Sequence, residues 1–172
     1  MNLSGPLLPR QRTTKRDERW RPVLLAILTV AAVVIQFLLH GRVYLRFVEL
    51  PLLLTLHFAV SRRSPARSLL YGAAVGLMQD ALSDRPLLGV YGIVKTLIGF
   101  FAASAGLRMA ADSAATRIVV TFLFYLLHQG FHLVLTSALL GEHTDVHLVQ
   151  LAGEAAFNAA VAVPLFQLLD RL

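Results

Sequence analysis

The segment Pro22–Leu39, PVLLAILTVAAVVIQFLL, contains 18 residues and no charged side chain. A hydrocarbon core about 30 Å thick is crossed by roughly 20 helical residues, so this segment has the length and composition of a transmembrane helix. Five more long apolar segments follow along the chain: Val43–Ser61, Ser68–Ser83, Pro86–Gly106, Ile118–Gly141 and Val146–Leu169. The sequence therefore predicts an all-α polytopic membrane protein with six transmembrane helices.

The bulk composition excludes an ordinary water-soluble domain. Hydrophobic residues make up 56% of the chain and charged residues only 15%, whereas soluble domains carry about 25% charged residues. The apolar runs are continuous rather than alternating, which favours helices over the strands of a membrane barrel. Cysteine is absent, so no disulfide or thiolate site is expected. We expect a basic, disordered tail at 1–21 and one transmembrane domain at 22–172.

Most of the positive charge lies on one side of the predicted spans. With six spans, one side carries 12 Lys and Arg residues and the other carries 3, while Lys95 lies within a span. The amino-terminal tail alone contributes six of them: Arg10, Arg12, Lys15, Arg16, Arg19 and Arg21. Because cytoplasmic loops are enriched in Lys and Arg, both termini are predicted to face the cytoplasm. A basic cluster beside a span indicates contact with anionic lipid, not nucleic acid.

Several polar residues lie within the predicted spans, where they are costly and usually face the protein interior. They are Glu49, His57, Asp80, Lys95, His128, His132, Glu154 and Asn158. Glu49 is three residues after Arg46, which predicts a local ion pair; in the alternative, the two point into an outer vestibule. Pro51 predicts that the second span is short, tilted or broken near Glu49-Leu50-Pro51.

Spans 3 and 4 are joined by a short loop and should form an antiparallel hairpin. Small residues allow helices to approach closely, and helix-packing glycines are expected at Gly72, Gly76, Gly89, Gly92 and Gly99. Asp80 and Lys95 lean toward each other in this hairpin because helical side chains point toward the amino terminus. We therefore expect an ion pair, direct or through water, between Asp80 and Lys95. In the alternative, Lys95 extends alone to the membrane surface and Asp80 caps the outer end of span 3.

Spans 5 and 6 form a second predicted hairpin, with its turn near His143. His132 and Glu154 lie at the same distance from the turn, as do His128 and Asn158 one helical turn deeper. This arrangement predicts two interhelical hydrogen-bonded pairs, each worth about 0.6–2 kcal/mol.

The same histidines allow a different hypothesis, an intramembrane metal site. His128 and His132 are spaced as in a zinc-protease helix, and Glu154 is at a suitable level for a third ligand. Gln129, however, occupies the position of the usual glutamate base, and an amide cannot accept the proton. We therefore favour structural hydrogen bonding and expect no catalytic residue and no metal.

The hairpin of spans 3 and 4 also carries a family resemblance. Residues 72–89 read GAAVGLMQDALSDRPLLG, and this chain resembles the MreD family of bacterial rod shape-determining membrane proteins over nearly its whole length. The matching positions are Gly76, Asp80, Ser83, Pro86 and Gly89. The chain departs from the pattern at Asp84, where the family commonly has glycine, and in the spacing before Gly89. Pro51 also fits the family's usual proline in span 2.

The resemblance implies a non-enzymatic protein of the bacterial inner membrane without a cofactor. Its fold would be similar to the six-helix substrate-binding (S) subunits of energy-coupling-factor transporters. Its partner would be MreC, together with RodA and its transpeptidase partner, and MreB indirectly, in the machinery of lateral peptidoglycan synthesis and cell shape.

A rival hypothesis follows from the shared architecture. The chain could be a small-molecule-binding membrane subunit of a transporter, with the polar residues near the outer side lining a pocket. The very short outer loops weigh mildly against this alternative. A third hypothesis, an intramembrane metalloprotease, lacks its general base.

Overall fold

The computed structural model describes residues 15–39, 47–83, 89–107, 113–141 and 147–171. Throughout these ranges the regular elements are α-helices, which confirms the all-α prediction. The helices are α1 (Lys15–Leu39), α2 (Leu50–Arg62), α3 (Pro65–Leu82), α4 (Val90–Gly106), α5 (Ala114–Leu140) and α6 (Leu148–Arg171).

The starts of α1 and α2 differ most from the predicted spans. α1 begins at Lys15, so residues 15–21 of the expected tail are helical; Lys, Arg and Glu are good helix formers. α2 begins at Leu50, and Pro51 occupies its first turn, where a missing N–H costs nothing. This start confirms the prediction that the second apolar segment yields a short helix.

Two helices are long and apolar enough to cross a membrane, namely Ala114–Leu139 and Leu148–Arg171. Shorter apolar helices cover Val23–Leu38, Leu50–Arg62 and Val90–Gly106. At 1.5 Å per residue, the 13 residues of α2 extend about 20 Å, which is less than the hydrocarbon thickness. The apolar helices are consistent with membrane insertion, and the number of crossings stays a prediction.

The shortest helix lies at the centre of the described bundle. α2 packs against each of the other five helices. Leu52, Leu53, Leu56 and Ala59 of α2 are completely buried, and Thr55 satisfies its hydroxyl by donating to the carbonyl of Pro51. An almost entirely apolar helix of this kind has no solvent-facing side, which explains its central position.

α3 and α4 form the most extensive helix pair of the described residues, and three glycines explain why. A Cβ atom on Gly72 would overlap the backbone carbonyl of Lys95, and one on Gly76 would overlap that of Tyr91. Gly99 of α4 faces the backbone carbonyl of Ser68 in the same way. Backbones can approach this closely only where side chains are missing.

The other two glycines of the predicted packing set differ. A Cβ on Gly92 would meet the Leu77 side chain at 3.0 Å, so its neighbour is a flexible side chain rather than backbone. Gly89 has open space around it and does not pack against another helix. Its φ of 111° places it in the left-handed region at the start of α4, where glycine carries no Cβ penalty. The packing role expected for Gly89 is therefore replaced by a backbone role.

Large apolar side chains cover much of the outer surface of the bundle. Val149 is 89% exposed, Leu38 is 68% exposed and Val134 is 63% exposed. Soluble monomers rarely show broad apolar patches. This surface is the one expected of helices that face lipid or other membrane proteins.

Candidate functional site

Lys95 lies at the centre of a buried polar cluster formed by Glu49, Tyr91, Lys95 and His128. Its side chain is completely buried on α4. The amino group donates to Nε2 of His128 at 3.3 Å and lies 3.9 Å from Oε2 of Glu49. It also lies 4.9 Å from the ring centroid of Tyr91, within the range of a cation–π contact. The cluster thus connects the start of α2 with α4 and α5.

The buried cluster is held by a small number of contacts. Oε2 of Glu49 and Nδ1 of His128 are buried and have no hydrogen-bond partner among the described residues. An unsatisfied buried polar atom costs about 1–3 kcal/mol, so the amino group of Lys95 is the main compensation available to both side chains. Removing it leaves a carboxylate and an imidazole without their common partner.

Asp80 does not form the expected direct ion pair with Lys95. Its carboxylate accepts hydrogen bonds from the backbone N–H groups of Gly89 at 3.1 Å, Tyr91 at 3.1 Å and Gly92 at 2.8 Å. The first turn of a helix has N–H groups without internal acceptors and attracts negative charge. The direct ion pair is therefore not formed, because the free N–H groups of α4 are closer partners, and a pair through water stays a prediction. The alternative is wrong, because Asp80 caps α4 rather than α3 and Lys95 is buried.

Asn158 holds the segment that leads into α2. Its Oδ1 accepts from the backbone N–H of Glu49 at 2.9 Å, and its Nδ2 donates to the carbonyl oxygens of Phe47 at 2.7 Å and Glu154 at 2.9 Å. The predicted pair of His128 with Asn158 is therefore replaced, because backbone groups of the segment before α2 take the amide. His128 instead accepts from Lys95.

Glu154 belongs to a second polar chain between α5 and α6. Oε2 of Glu154 accepts from the Tyr125 hydroxyl at 3.0 Å, and Oε1 accepts from Gln150 at 2.8 Å. The Tyr125 hydroxyl in turn accepts from Gln129 at 3.0 Å. Tyr125, and not the predicted His132, is therefore the partner that α5 provides for Glu154. Tyr125 lies nearly two helical turns before His132, and its longer side chain reaches Glu154.

His132 is directed toward α4. Its ring centroid lies 4.9 Å from that of Tyr91 in a tilted arrangement. In the described part of the chain, no group of three or more His, Asp or Glu side chains is arranged to hold a metal ion. Both histidines of the predicted motif thus approach Tyr91 of α4, the His128 ring at 6.4 Å between centroids, and His128 in addition meets Lys95.

A third polar group lies at the other end of the bundle. Asp170 on α6 accepts from Arg117 on α5 at 2.6 Å and contacts Nε2 of His57 on α2 at 3.0 Å. Ser61 lies 3.4 Å from the same imidazole nitrogen. His57, expected in the bundle interior, is buried and paired. The carboxyl ends of α2 and α6 therefore lie beside the amino end of α5.

Some predicted features fall outside the described residues. They are Arg46, with its expected pairing to Glu49, the turn at residues 84–86 and the turn near His143.

A comparison with known protein families gives a match over nearly the whole helical region. The model of the family described as rod shape-determining protein MreD matches residues 18–172. The chain belongs to the MreD family. Comparison with curated proteins and with solved structures gave no significant match. MreD is a family of membrane proteins that determine rod shape and is not a known enzyme family.

Sequence reasoning missed several polar residues of this MreD-family chain. Gln36 accepts from the backbone N–H of Leu50 at 3.2 Å, and Tyr125, Gln129 and Gln150 build the chain around Glu154. The signal for Gln36 was available, because it is an amide within an apolar span. Tyr125 carried no such signal, since aromatic residues are common on helices that face lipid.

Proposed function

We propose that this chain is a non-enzymatic, six-span scaffold of the bacterial cytoplasmic membrane, with both termini in the cytoplasm. It acts with MreC in the cell-wall elongation complex, beside RodA and its transpeptidase partner, and through them with MreB. In this role it supports lateral peptidoglycan synthesis and rod shape. The proposal depends chiefly on the MreD family match over residues 18–172.

The buried polar cluster supports a scaffold over a transporter subunit. Lys95, His128 and Asn158 are at most 1% exposed. The amino group of Lys95 bonds to Nε2 of His128 on a neighbouring helix, and the Asn158 amide bonds to the segment before α2. A ligand-binding subunit would direct such groups into a cavity. Here they stabilise contacts between helices, and no specific observation favours the transporter alternative.

The positions of charged residues support the proposed topology. Arg63 at the end of α2, Arg117 near the start of α5 and Asp170 at the end of α6 line one cavity. All three belong to the side that the Lys and Arg distribution assigns to the cytoplasm. α5 therefore runs antiparallel to both α2 and α6, in agreement with alternating spans. The likeness to energy-coupling-factor S subunits is part of the same proposal.

Topology is tested by reporter fusions at both termini and in each predicted loop of the full chain. The proposal requires cytoplasmic reporter activity at residues 1 and 172 and at the turn after Arg62. Termini on opposite sides of the membrane would exclude an even number of spans.

Function is tested by depleting the chain from its rod-shaped host. Cells should become round, and the wild-type chain should restore rods; cells that stay rod-shaped would contradict the proposal.

The MreC partnership is tested by co-purification from membranes with tagged variants. Gly130 and Gly153 have open space around them, so Gly130→Leu and Gly153→Leu place bulk on the outer surface without disturbing the bundle. Loss of MreC with either variant would locate the interface, whereas retention with both would place it on another face. Failure of the wild-type chain to retain MreC would contradict the partnership. A small metabolite retained stoichiometrically would favour the transporter alternative.

A further inference from the structure

Two cavities lie at the end of the bundle that carries Asp170. Their volumes are about 250 and 260 Å³, and they share His57, Ser61 and Asp170. We call the two together the inner recess. It is separate from the buried cluster around Lys95, and the family comparison assigns it no role.

The first cavity of the inner recess is amphipathic. Its lining includes the apolar side chains of Leu24, Leu25 and Leu28 from α1, and Ser61 and Arg62 from α2. An apolar lining that also includes an arginine matches a molecule with a hydrocarbon chain and an anionic group. A free inorganic anion would gain no apolar contact from the leucine side chains.

The charges of the inner recess favour an anion. Its carboxylate, Asp170, is already engaged by Arg117 at 2.6 Å and by His57 at 3.0 Å. Within the described residues, the side chains of Arg62 and Arg63 form no ion pair and no hydrogen bond. Two guanidinium groups therefore remain available at the mouths of the two cavities, and guanidinium groups bind phosphate through paired hydrogen bonds.

The backbone at Arg63 adds an independent observation. Arg63 ends α2 with a φ of 49°, in the left-handed region, and it is the one non-glycine residue with positive φ in the described part of the chain. Glycine is the usual residue at such a helix end. A side chain retained in a costly conformation often serves a function. A purely structural cap would be improved by glycine at this position.

We propose that the inner recess binds an anionic phospholipid, with its phosphate at Arg62 and Arg63 and one acyl chain along the Leu24–Leu25–Leu28 wall. The binding itself is independent of the proposed scaffold function. The leaflet of the bound lipid does depend on the proposed topology, which places this end of the bundle on the cytoplasmic side.

The test is native mass spectrometry of the purified full chain in detergent, with dioleoyl phosphatidylglycerol or dioleoyl phosphatidylcholine added at equal concentration. The proposed charge-assisted hydrogen bond between Arg62 and the lipid phosphate is worth at least about 1 kcal/mol, so Arg62→Gln should reduce retention of phosphatidylglycerol at least about fivefold. The double variant Arg62→Gln/Arg63→Gly should reduce it at least about 25-fold by the same reasoning. Retention of phosphatidylcholine should change little.

Arg67 supplies the matched control. It is an exposed arginine in the first turn of α3, on the same predicted side, and it lines neither cavity. Arg67→Gln removes the same formal charge and should change retention less than twofold. An equal loss in Arg62→Gln and Arg67→Gln would reduce the effect to general electrostatics and overturn the proposal, as would equal binding of both lipids by the wild type.

Arg63→Gly separates binding from folding. It should keep or raise the melting temperature, because glycine relieves the left-handed backbone, while retention of phosphatidylglycerol falls. Unchanged retention would overturn the assignment of Arg63. Inorganic phosphate is added as a competitor, and Leu25→Gln tests the apolar wall. The lipid proposal fails if millimolar phosphate displaces the lipid and the Leu25→Gln variant retains the lipid fully. In that case the ligand of the inner recess is a free anion. These measurements use the isolated chain, so their failure leaves the MreC test unaffected.

Discussion

The backbone N–H of Gly92 donates a 2.8 Å hydrogen bond to Asp80, which holds that carboxylate at the start of α4, where it forms no direct ion pair with Lys95. Asp80 is 3% exposed and Lys95 is completely buried. The two charged residues of this hairpin therefore stabilise different contacts. Asp80 joins the ends of α3 and α4, and Lys95 joins α4 to α5 and to the start of α2.

Replacing Asp80 should destabilise the hairpin. Asp80→Ala removes the acceptor of three backbone N–H groups, and we expect a loss of about 2–3 kcal/mol, since charged helix caps are worth more than neutral ones. Asp80→Asn keeps one acceptor oxygen and should lose about half as much. Unfolding of the purified protein in mixed detergent and SDS measures both.

Exchanging the charges tests the corrected geometry. Asp80→Lys combined with Lys95→Asp should be at least as unstable as the worse single variant, because the two side chains have different partners. Recovery of stability in the double variant would show that they pair directly and would refute the assignment of Asp80 to the start of α4.

Lys95→Met should be the most damaging single change in the buried cluster. Removing one partner of a buried ion pair costs about 3–5 kcal/mol, because the other charge stays uncompensated. Glu49→Gln should reduce that loss when it is combined with Lys95→Met. The measurement is a double-mutant cycle on the free energy of unfolding, with a coupling of about 1–3 kcal/mol expected. The matched cycle of Lys95 with Glu154 should give near-additive values.

Glycine replacements should have opposite effects at buried and open positions. Gly72→Ala drives a methyl group into the carbonyl of Lys95 and should cost about 1–3 kcal/mol or more. Gly130→Ala, in open space within α5, should stabilise the helix by about 0.5–1 kcal/mol. Melting temperatures of the two variants measure the contrast. Equal destabilisation would contradict the close contact of α3 and α4.

Asn158→Leu should release the segment before α2. It removes the hydrogen bonds that the Asn158 amide makes with the N–H of Glu49 and the carbonyl of Phe47, at a cost of about 2–4 kcal/mol in total. The chain has no native cysteine, so a single Val48→Cys reports on this segment through its maleimide reaction rate. Val48 is 7% exposed, and its slow labelling should accelerate strongly in Asn158→Leu.

A second cysteine position serves as the control for this labelling. Leu148→Cys lies at a site that is 74% exposed, and its rate should be the same with and without Asn158→Leu. If Val48→Cys reacts at an unchanged rate, Asn158 does not hold the segment in place.

The glycine and proline positions show how far local sequence signals reach. Gly72, Gly76 and Gly99 indicated where α3 and α4 approach, since small residues on one helix face are sufficient to predict close packing. Pro51 predicted a second span that is short, tilted or broken near Glu49-Leu50-Pro51, and α2 begins there because a missing N–H is tolerated in a first turn. Gly89 was assigned to packing, although a left-handed backbone at a helix start depends on the path of the chain, which no spacing reveals.

The sequence by itself determined that this chain is helical, where most helices lie, which face of α3 meets α4, and that the polar residues face inward. Each of these properties follows from apolarity and residue size along one segment. Only the tertiary structure decided the partners of Asp80, Lys95, His128, Glu154 and Asn158. A helix turns about 100° per residue, so a small rotation or axial shift exchanges one buried partner for another. Free backbone groups at the starts of α2 and α4 compete for the same side chains, and their positions depend on how all six helices pack.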